Sequence, residues 1–318
     1  MRIAILIALL LCAGIAHAQN YPARPVKVIV PWPPGQAADI VTRIVAEKLQ
    51  EALGQPFVID NKPGAAGTIG TIAVINSPPD GYTLLAASSG PVTILPVVQK
   101  LSYDPLVDLA PVSLTTVGGF VLVTSPSFPA ANAREFVALL RANPDKYTFS
   151  SSGMGSTSHL VIELFNSMAQ IKARHVPYKG SAPGLTDVMS GQVAYTLETV
   201  ASTIGHVKAG KLKALGLSTK QTAPAMPEVP SLSVAADLPD YDIGGWIGVA
   251  APRGTPRQIT SRVSAEIQRI VQYPDVRERL LAFGQNATAT TPDEMTAFIR
   301  AQQERFAAVA RVANIKLD

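Results

Sequence analysis

The sequence predicts an α/β protein of two lobes, each a mainly parallel sheet flanked by helices. Three observations carry that expectation. Short apolar runs of strand length alternate with longer segments at helical spacing, as in repeated β-α-β units. The alternation starts again after Gly118-Gly119. With 318 residues the chain is also long enough for two sizeable cores.

The first eighteen residues stand apart. Arg2, the apolar run Ile3 to Leu11, and Ala16-His17-Ala18 before Gln19 are the three parts of a secretory signal peptide. The apolar run is too short to span a bilayer comfortably. This reading starts the mature chain at Gln19 and places it in the periplasm. A lipid anchor at Cys12, the alternative, needs a small residue where Leu11 stands. Cys12 is the one cysteine of the chain, so beyond residue 18 there is no disulfide framework, cysteine metal site or thiolate nucleophile. Without Arg2 the remaining 318 − 18 = 300 residues hold 26 basic and 23 acidic side chains, a net charge of 26 − 23 = +3. No basic cluster alternates with aromatics, so nucleic acid is not expected as a partner.

The elements follow in order. Val26 to Val30 reads as a buried strand. Ile40, Ile44, Val45, Leu49 and Leu53 mark a helix over 39–53, ended by Gly54. Phe57 to Ile59 and Tyr82 to Ala87 are strands around a short helix, Thr68 to Asn76. Phe120 to Thr124 opens the second run. Asn132 and Glu135 form a capping box. Strands are expected at Tyr147 to Ser150, His175 to Tyr178, Gln192 to Leu197 and Lys213 to Leu217, with helices at Ser156 to Ala169, near Gly184 to Met189, and at Ser202 to Lys208. After a proline-rich break, Gly244 to Ala250 is a strand. Thr255-Pro256-Arg257-Gln258 and Thr291-Pro292-Asp293-Glu294 both read as boxed helix starts. The pattern assigns 19–119 and 246–318 to the first lobe and 120–245 to the second. Gly118-Gly119 and Gly244-Gly245 fall at the crossings, where glycine suits either a hinge or a plain turn.

Open parallel sheets bind ligands beyond the carboxyl ends of their strands. Four loops there are rich in small and hydroxyl residues: 31–39, 61–68, 87–90 and 151–159. Gln36, Ala37 and Ala38 open a helix, whose free amides and dipole favour an anion. Asp39 reads as a cap of that helix. Ser88 and Ser89 end a strand. Ser156, Thr157 and His159 sit at a second helix start, with Ser156 also readable as a plain N-cap and His159 as structural. Neither nucleotide-binding glycine motif, G-x-G-x-x-G or G-x-x-x-x-G-K-[ST], occurs. Neither G-x-S-x-G nor H-E-x-x-H is present. His159, His175 and His206 match no metal spacing. A Ser156–His159 hydrolase remains as a minor alternative that lacks an orienting acid. No cofactor or metal is expected, and the chain is not read as an enzyme.

Read together, certain segments resemble the substrate-binding proteins of tripartite tricarboxylate transporters, the TctC or Bug family. They are Tyr21-Pro22-Ala23-Arg24-Pro25 with Val28-Ile29-Val30-Pro31, Pro34-Gly35-Gln36-Ala37-Ala38-Asp39, Asn61 to Gly67, Ser77-Pro78-Pro79-Asp80-Gly81-Tyr82-Thr83-Leu84, Pro177-Tyr178-Lys179-Gly180 and Gly191-Gln192-Val193. Each is weak alone, but their order and spacing are specific. The resemblance implies a type II periplasmic binding protein, a Venus flytrap that closes on a small carboxylate and delivers it to membrane transporter subunits. It further implies that first-lobe amides, hydroxyls and bridging waters hold one carboxylate. Carried over by position, the ligand residues are Gln36, Ala37, Ala38, Ser88, Ser89, Ser156, Thr157 and His159, with Lys179, Glu198 and Thr199 on the far wall. A sensor role, with a membrane kinase as partner, is the second reading; either way a monomer is expected. The chain departs from the family in three places. Gln36 replaces a usual second glycine, Glu198 stands where Asp is frequent, and Ser89-Gly90-Pro91 lacks a common Thr-His pair. An ionised Glu198 facing the cleft is expected to repel a second carboxylate and favour an amine or neutral end.

Overall fold

The computed structural model describes residues 21–221 and 223–312; the signal-peptide reading of residues 1–18 lies outside them. The apolar pentapeptide Val26–Val30 is β1. Ala37–Leu53 (α1) carries the chain to Phe57–Asn61 (β2), and Thr68–Ile75 (α2) carries it on to Thr83–Ser88 (β3). Both β2 and β3 pair with β1 in parallel. Helix α1 stops where Gly54 takes φ 72°, a left-handed turn open to glycine without Cβ strain. Leu109–Gly118 (β4) then leads out of this sheet.

The second sheet begins at Phe120–Thr124 (β5). It continues through Ala133–Arg141 (α3), Thr148–Ser151 (β6), Thr157–Met168 (α4), Arg174–Pro177 (β7), Ser181–Ser190 (α5), Tyr195–Thr199 (β8), Val200–Lys208 (α6) and Lys213–Leu217 (β9). The chain returns through Gly245–Pro252 (β10), Arg257–Ile270 (α7), Pro274–Ala282 (α8), Gln285–Ala287 (β11) and Pro292–Val312 (α9). Strand order is β11-β4-β10-β3-β1-β2 in one sheet and β7-β6-β8-β5-β9 in the other.

Most strands of each sheet run one way, and the crossing strands β5 and β10 run against their neighbours. The geometry requires this. Strands β1, β3, β6 and β8 end at the edge facing the other lobe, whereas β5 and β10 start there. At the crossings Gly245 pairs with Gly118, and a Cβ on Gly244 would stand 2.9 Å from the Gly118 carbonyl oxygen. These glycines let two backbones pass in contact.

Side-chain alternation fills both faces of each sheet. Val28 and Val30 pack with Val41, Ile44 and Val45 of α1, while Ile29 joins Leu85, Leu114 and Trp246 on the opposite face. Leu122 packs with Phe136, Phe149 and Phe165, while Val121 and Val123 meet Leu185 and Val188. Helix α9 serves both lobes. Met295 and Ile299 lie under the first sheet, and Phe306 lies in the cluster of Phe165 and Tyr241.

Three local expectations change. The strand expected over 192–197 is instead Tyr195–Thr199. The central strand β4 was not foreseen, because Pro111 lies inside it. Register shifts in the β4–β10 pairing accommodate that residue. The box at Thr291 forms, with Glu294 N–H donating to Thr291 Oγ1 and Thr291 N–H to Glu294. The one at Thr255 does not: its hydroxyl donates to the Pro252 carbonyl and α7 starts at Arg257. Urea titration should therefore find Thr291→Ala destabilising by about 1 kcal/mol. Exposed Gln258→Ala should cost no more than about 0.5 kcal/mol.

Candidate functional site

Between the lobes lies a cleft of about 560 Å³, its mouth included. Its first-lobe wall holds Trp32, Gln36, Ala37, Ala38, Ser88 and Ser89. The second-lobe wall holds Ser152, Thr157, Ser158, Ser181, Glu198, Thr199 and Ser202. Phe120, Gly245, Trp246, Ile247 and Gln285 line it near the crossings.

Four helix starts converge on this space, each following directly from the strand topology. Ala37 and Ala38 begin α1, Thr157 and Ser158 begin α4, Ser181 begins α5, and Thr199 caps α6. The first N–H groups of a helix have no partner within it, and its dipole is positive there. Among the lining residues there is no Lys, Arg or His, and Glu198 is the one charged type. Positive potential thus comes from backbone.

The loop before α1 is held by Asp39, whose carboxylate accepts from Gly35 N–H at 3.0 Å, from Asn61 Nδ2 at 2.9 Å and from Arg43. Burial alone would push this acid up. Hydrogen bonds from Arg43, Gly35 and Asn61 outweigh burial and hold it below the ordinary carboxylate range. Trp32 Nε1 donates to Ser88 Oγ at 2.9 Å, and Trp246 N–H donates to Ser89 Oγ at 2.8 Å. With an acceptor position of Ser88 Oγ taken, its proton can turn into the cleft. Gln36 does not cap α1; its Nε2 crosses the cleft to Ser181 Oγ at 2.9 Å.

Of the residues expected from the sequence, Gln36, Ala37, Ala38, Ser88, Ser89, Thr157, Glu198 and Thr199 line the cleft. Ser156, His159 and Lys179 do not. Ser156 is buried and accepts from His159 N–H at the start of α4. The His159 ring faces away: its Nδ1 accepts from Gly155 N–H, its Nε2 lies 3.6 Å from Glu163, and it stacks on His175 at 4.0 Å. No Ser156–imidazole hydrogen bond forms. Lys179 is exposed to solvent. Sequence reasoning missed Trp32, Ser152, Ser158, Ser181, Ser202, Trp246 and Gln285. Ser181 and Ser202 had a legible signal, since each opens or follows a helix start after a strand.

One Ser–His pair does exist: Ser151 Oγ and His175 Nε2 are 2.7 Å apart. Burial, then the nearby His159, pushes His175 down to about 3. Its Nδ1 is buried without a partner. A general base for neutral pH needs an affinity near that pH and an orienting acid, and this imidazole has neither. Among the described residues, no group of three or more His, Cys, Asp or Glu is placed to hold a metal, and no helix is long and apolar enough to cross a membrane.

Fold and cleft together define a two-lobed α/β protein with an interlobe cleft on which helix N-termini converge. The model of the tripartite tricarboxylate transporter family receptor, TctC, matches residues 41–315. The chain belongs to that family. It is 36% identical to protein BugT of Bordetella pertussis over 310 residues, 96% of this chain and 95% of BugT. Its structure is similar to R. palustris Rpa4515 with adipate, with a TM-score of 0.90 and 30% identity over 93% of this chain and 99% of that one. MatC of Rhodopseudomonas palustris with bound malate matches with a TM-score of 0.85 and 30% identity, over 91% and 99%.

His175 gives a pH signature. Its neutral form is favoured in the fold, so the unfolded chain binds more protons between about 3 and 6.5 and stability from this group falls as pH drops through that window. Denaturant titrations across it should show His175→Gln with a shallower slope of stability against pH than the wild type.

Proposed function

We propose that the protein is a periplasmic solute-binding protein. It captures a small organic carboxylate between its lobes, 19–119 with 246–318 and 120–245, and delivers it to the membrane subunits of a tripartite tricarboxylate transporter. It acts as a monomer, without cofactor or metal, and does not transform its ligand. The observation that carries this reading is the convergence of four helix N-termini on a cleft without a basic side chain. Such a site binds an anion through fixed dipoles and hydrogen bonds. A carboxylate fits it in both charge and size.

In this reading the Ala37 and Ala38 amides and the Ser88 hydroxyl hold one carboxylate from the first lobe. Thr157 and Thr199 approach from the second. Closure brings the two sets together, and the Gln36–Ser181 hydrogen bond ties the lobes beside the ligand. The close-passing glycine pairs serve as the pivot. The family membership and the adipate and malate complexes of relatives support the ligand class.

Thermal-shift screening against organic acids should raise the melting temperature for a subset of them, and X-ray scattering should show a smaller radius with those acids. Ser88→Ala should weaken the best acid about tenfold, the worth of one hydrogen bond to a charged group. A panel of mono- and dicarboxylates that shifts neither melting nor scattering would sink the reading.

A further inference from the structure

The end of the second lobe remote from the cleft is cationic. Its make-up follows from strand register. Thr148 and Arg174, the first residues of β6 and β7, lie opposite each other. Phe149 lies opposite Tyr195, the first residue of β8. Thr124, the last residue of β5, pairs with Tyr195 on one side and with Lys213, the first residue of β9, on the other. These residues form one row along the far edge of the sheet, about 20 Å across its five strands. Lys146 comes just ahead of β6, Lys172 just ahead of β7, and Lys208 and Lys211 just ahead of β9. Arg141 ends α3, and its Nε donates to the Ala169 carbonyl where α4 finishes at this edge. Backbone bonds join the turns: Asp145 N–H donates to the Lys172 carbonyl at 2.9 Å and Arg174 N–H to the Tyr147 carbonyl at 3.0 Å. Arg141, Lys146, Lys172, Arg174, Lys208 and Lys211 are all exposed.

We infer that this edge is a docking surface for an anionic phospholipid bilayer. The inference goes beyond the carboxylate-binding reading and does not rest on it. Among the described residues, no ion pair includes any of these six cations, whereas Arg24–Asp80, Lys48–Asp275 and Arg279–Glu47 neutralise cations of the first lobe. Lys213 is engaged locally, its Nζ donating to the Phe128 and Ala130 carbonyls. The acids at this edge are Glu135 and Asp145, and Glu135 is held in the cap of α3 by Ala131 N–H and Asn132 Nδ2. The other acids of the lobe lie elsewhere. Glu198 is at the cleft, Glu163 faces His159, and Asp187 accepts from Tyr178. Glu228, Asp237, Asp240 and Asp242 belong to the returning segment, which is tied to Leu217 and Ser218 at the cleft end of β9. Like charges along one edge build a field that attracts anions. A protein partner would want apolar or aromatic anchors. The exposed large apolar side chains, Val58, Ile69, Val107, Met154 and Val234, all lie off this row. A bilayer asks only for cations facing a plane of phosphates, and each strengthens binding about fivefold. The cleft borders the opposite edge of the sheet, so a docked molecule keeps its ligand site open to solution.

The test is vesicle sedimentation of the chain from Gln19 to Asp318, with phosphatidylcholine vesicles that do or do not contain phosphatidylglycerol. At about 0.05 M salt, wild type should bind the anionic vesicles at least about tenfold more tightly than the neutral ones, and about 0.5 M salt should abolish the difference. Combining Lys172→Gln, Arg174→Gln, Lys208→Gln and Lys211→Gln should weaken binding about tenfold or more. A control of equal charge change in the first lobe, Arg253→Gln, Arg257→Gln, Arg269→Gln and Arg279→Gln, should stay within about threefold of wild type. The lipid and salt comparisons use wild type alone, so they decide the matter even if a variant misfolds. Equal binding to neutral vesicles, binding that survives high salt, an equal loss in the first-lobe control, or no binding at all would overturn the inference. Retention on immobilised polyglutamate without vesicle binding would overturn it in favour of an acidic protein partner. The response to organic acids is read separately by thermal shift, and none of these outcomes alters it.

Discussion

The structure depends on where helices begin. In both sheets the strands β1, β3, β6, β7 and β8 end at the edge that faces the other lobe. A helix that follows such a strand starts there, with its N–H groups and positive dipole end directed into the gap. The Ala37, Thr157, Ser181 and Thr199 starts all obey this rule. A gap lined by helix N-termini is the product of two such edges placed face to face.

This explains the poverty of the cleft in charged side chains. A lysine or arginine would add Coulomb attraction, but it would also carry rotamer entropy and a hydration shell that closure must strip. Backbone amides are already fixed by the helix, so little further ordering is required. The hydroxyl of Ser88 is likewise set in advance, because the Trp32 indole N–H occupies an acceptor side, whereas Ser89 Oγ accepts from Trp246 N–H and donates back to the Trp246 carbonyl.

The same economy makes Glu198 conspicuous. Its Oε2 receives the end of a hydrogen-bond chain that starts on Gln36 in the other lobe, while Oε1 waits unpartnered. Two of the three departures from the family pattern, Gln36 and Glu198, are thus linked through Ser181. A glycine at position 36 would have no carboxamide to reach across, and Ser181 would be free to turn its proton elsewhere.

The sequence alone determined the alternation of strands and helices, the two lobes, and most of the first-lobe wall. These are local matters: apolar runs at a period of two, helical stripes, a glycine stop at Gly54, and small residues after strands. Element boundaries were legible to within a few residues wherever the pattern was strong, as at Val26–Val30 and Phe120–Thr124. Tertiary structure alone decided which groups face the gap. Ser156 and His159 lie in the same loop as Thr157 and Ser158, yet a 100° step per residue on a helix sends the His159 ring into a stack with His175. Ser181 and Glu198 are 17 residues apart and meet only because β8 lies beside α5. Trp246 and Ser89 are 157 residues apart and join only through the pairing of β10 with β3. Local patterning fixes what an element is; which of its faces becomes a wall depends on partners that distant parts of the chain supply.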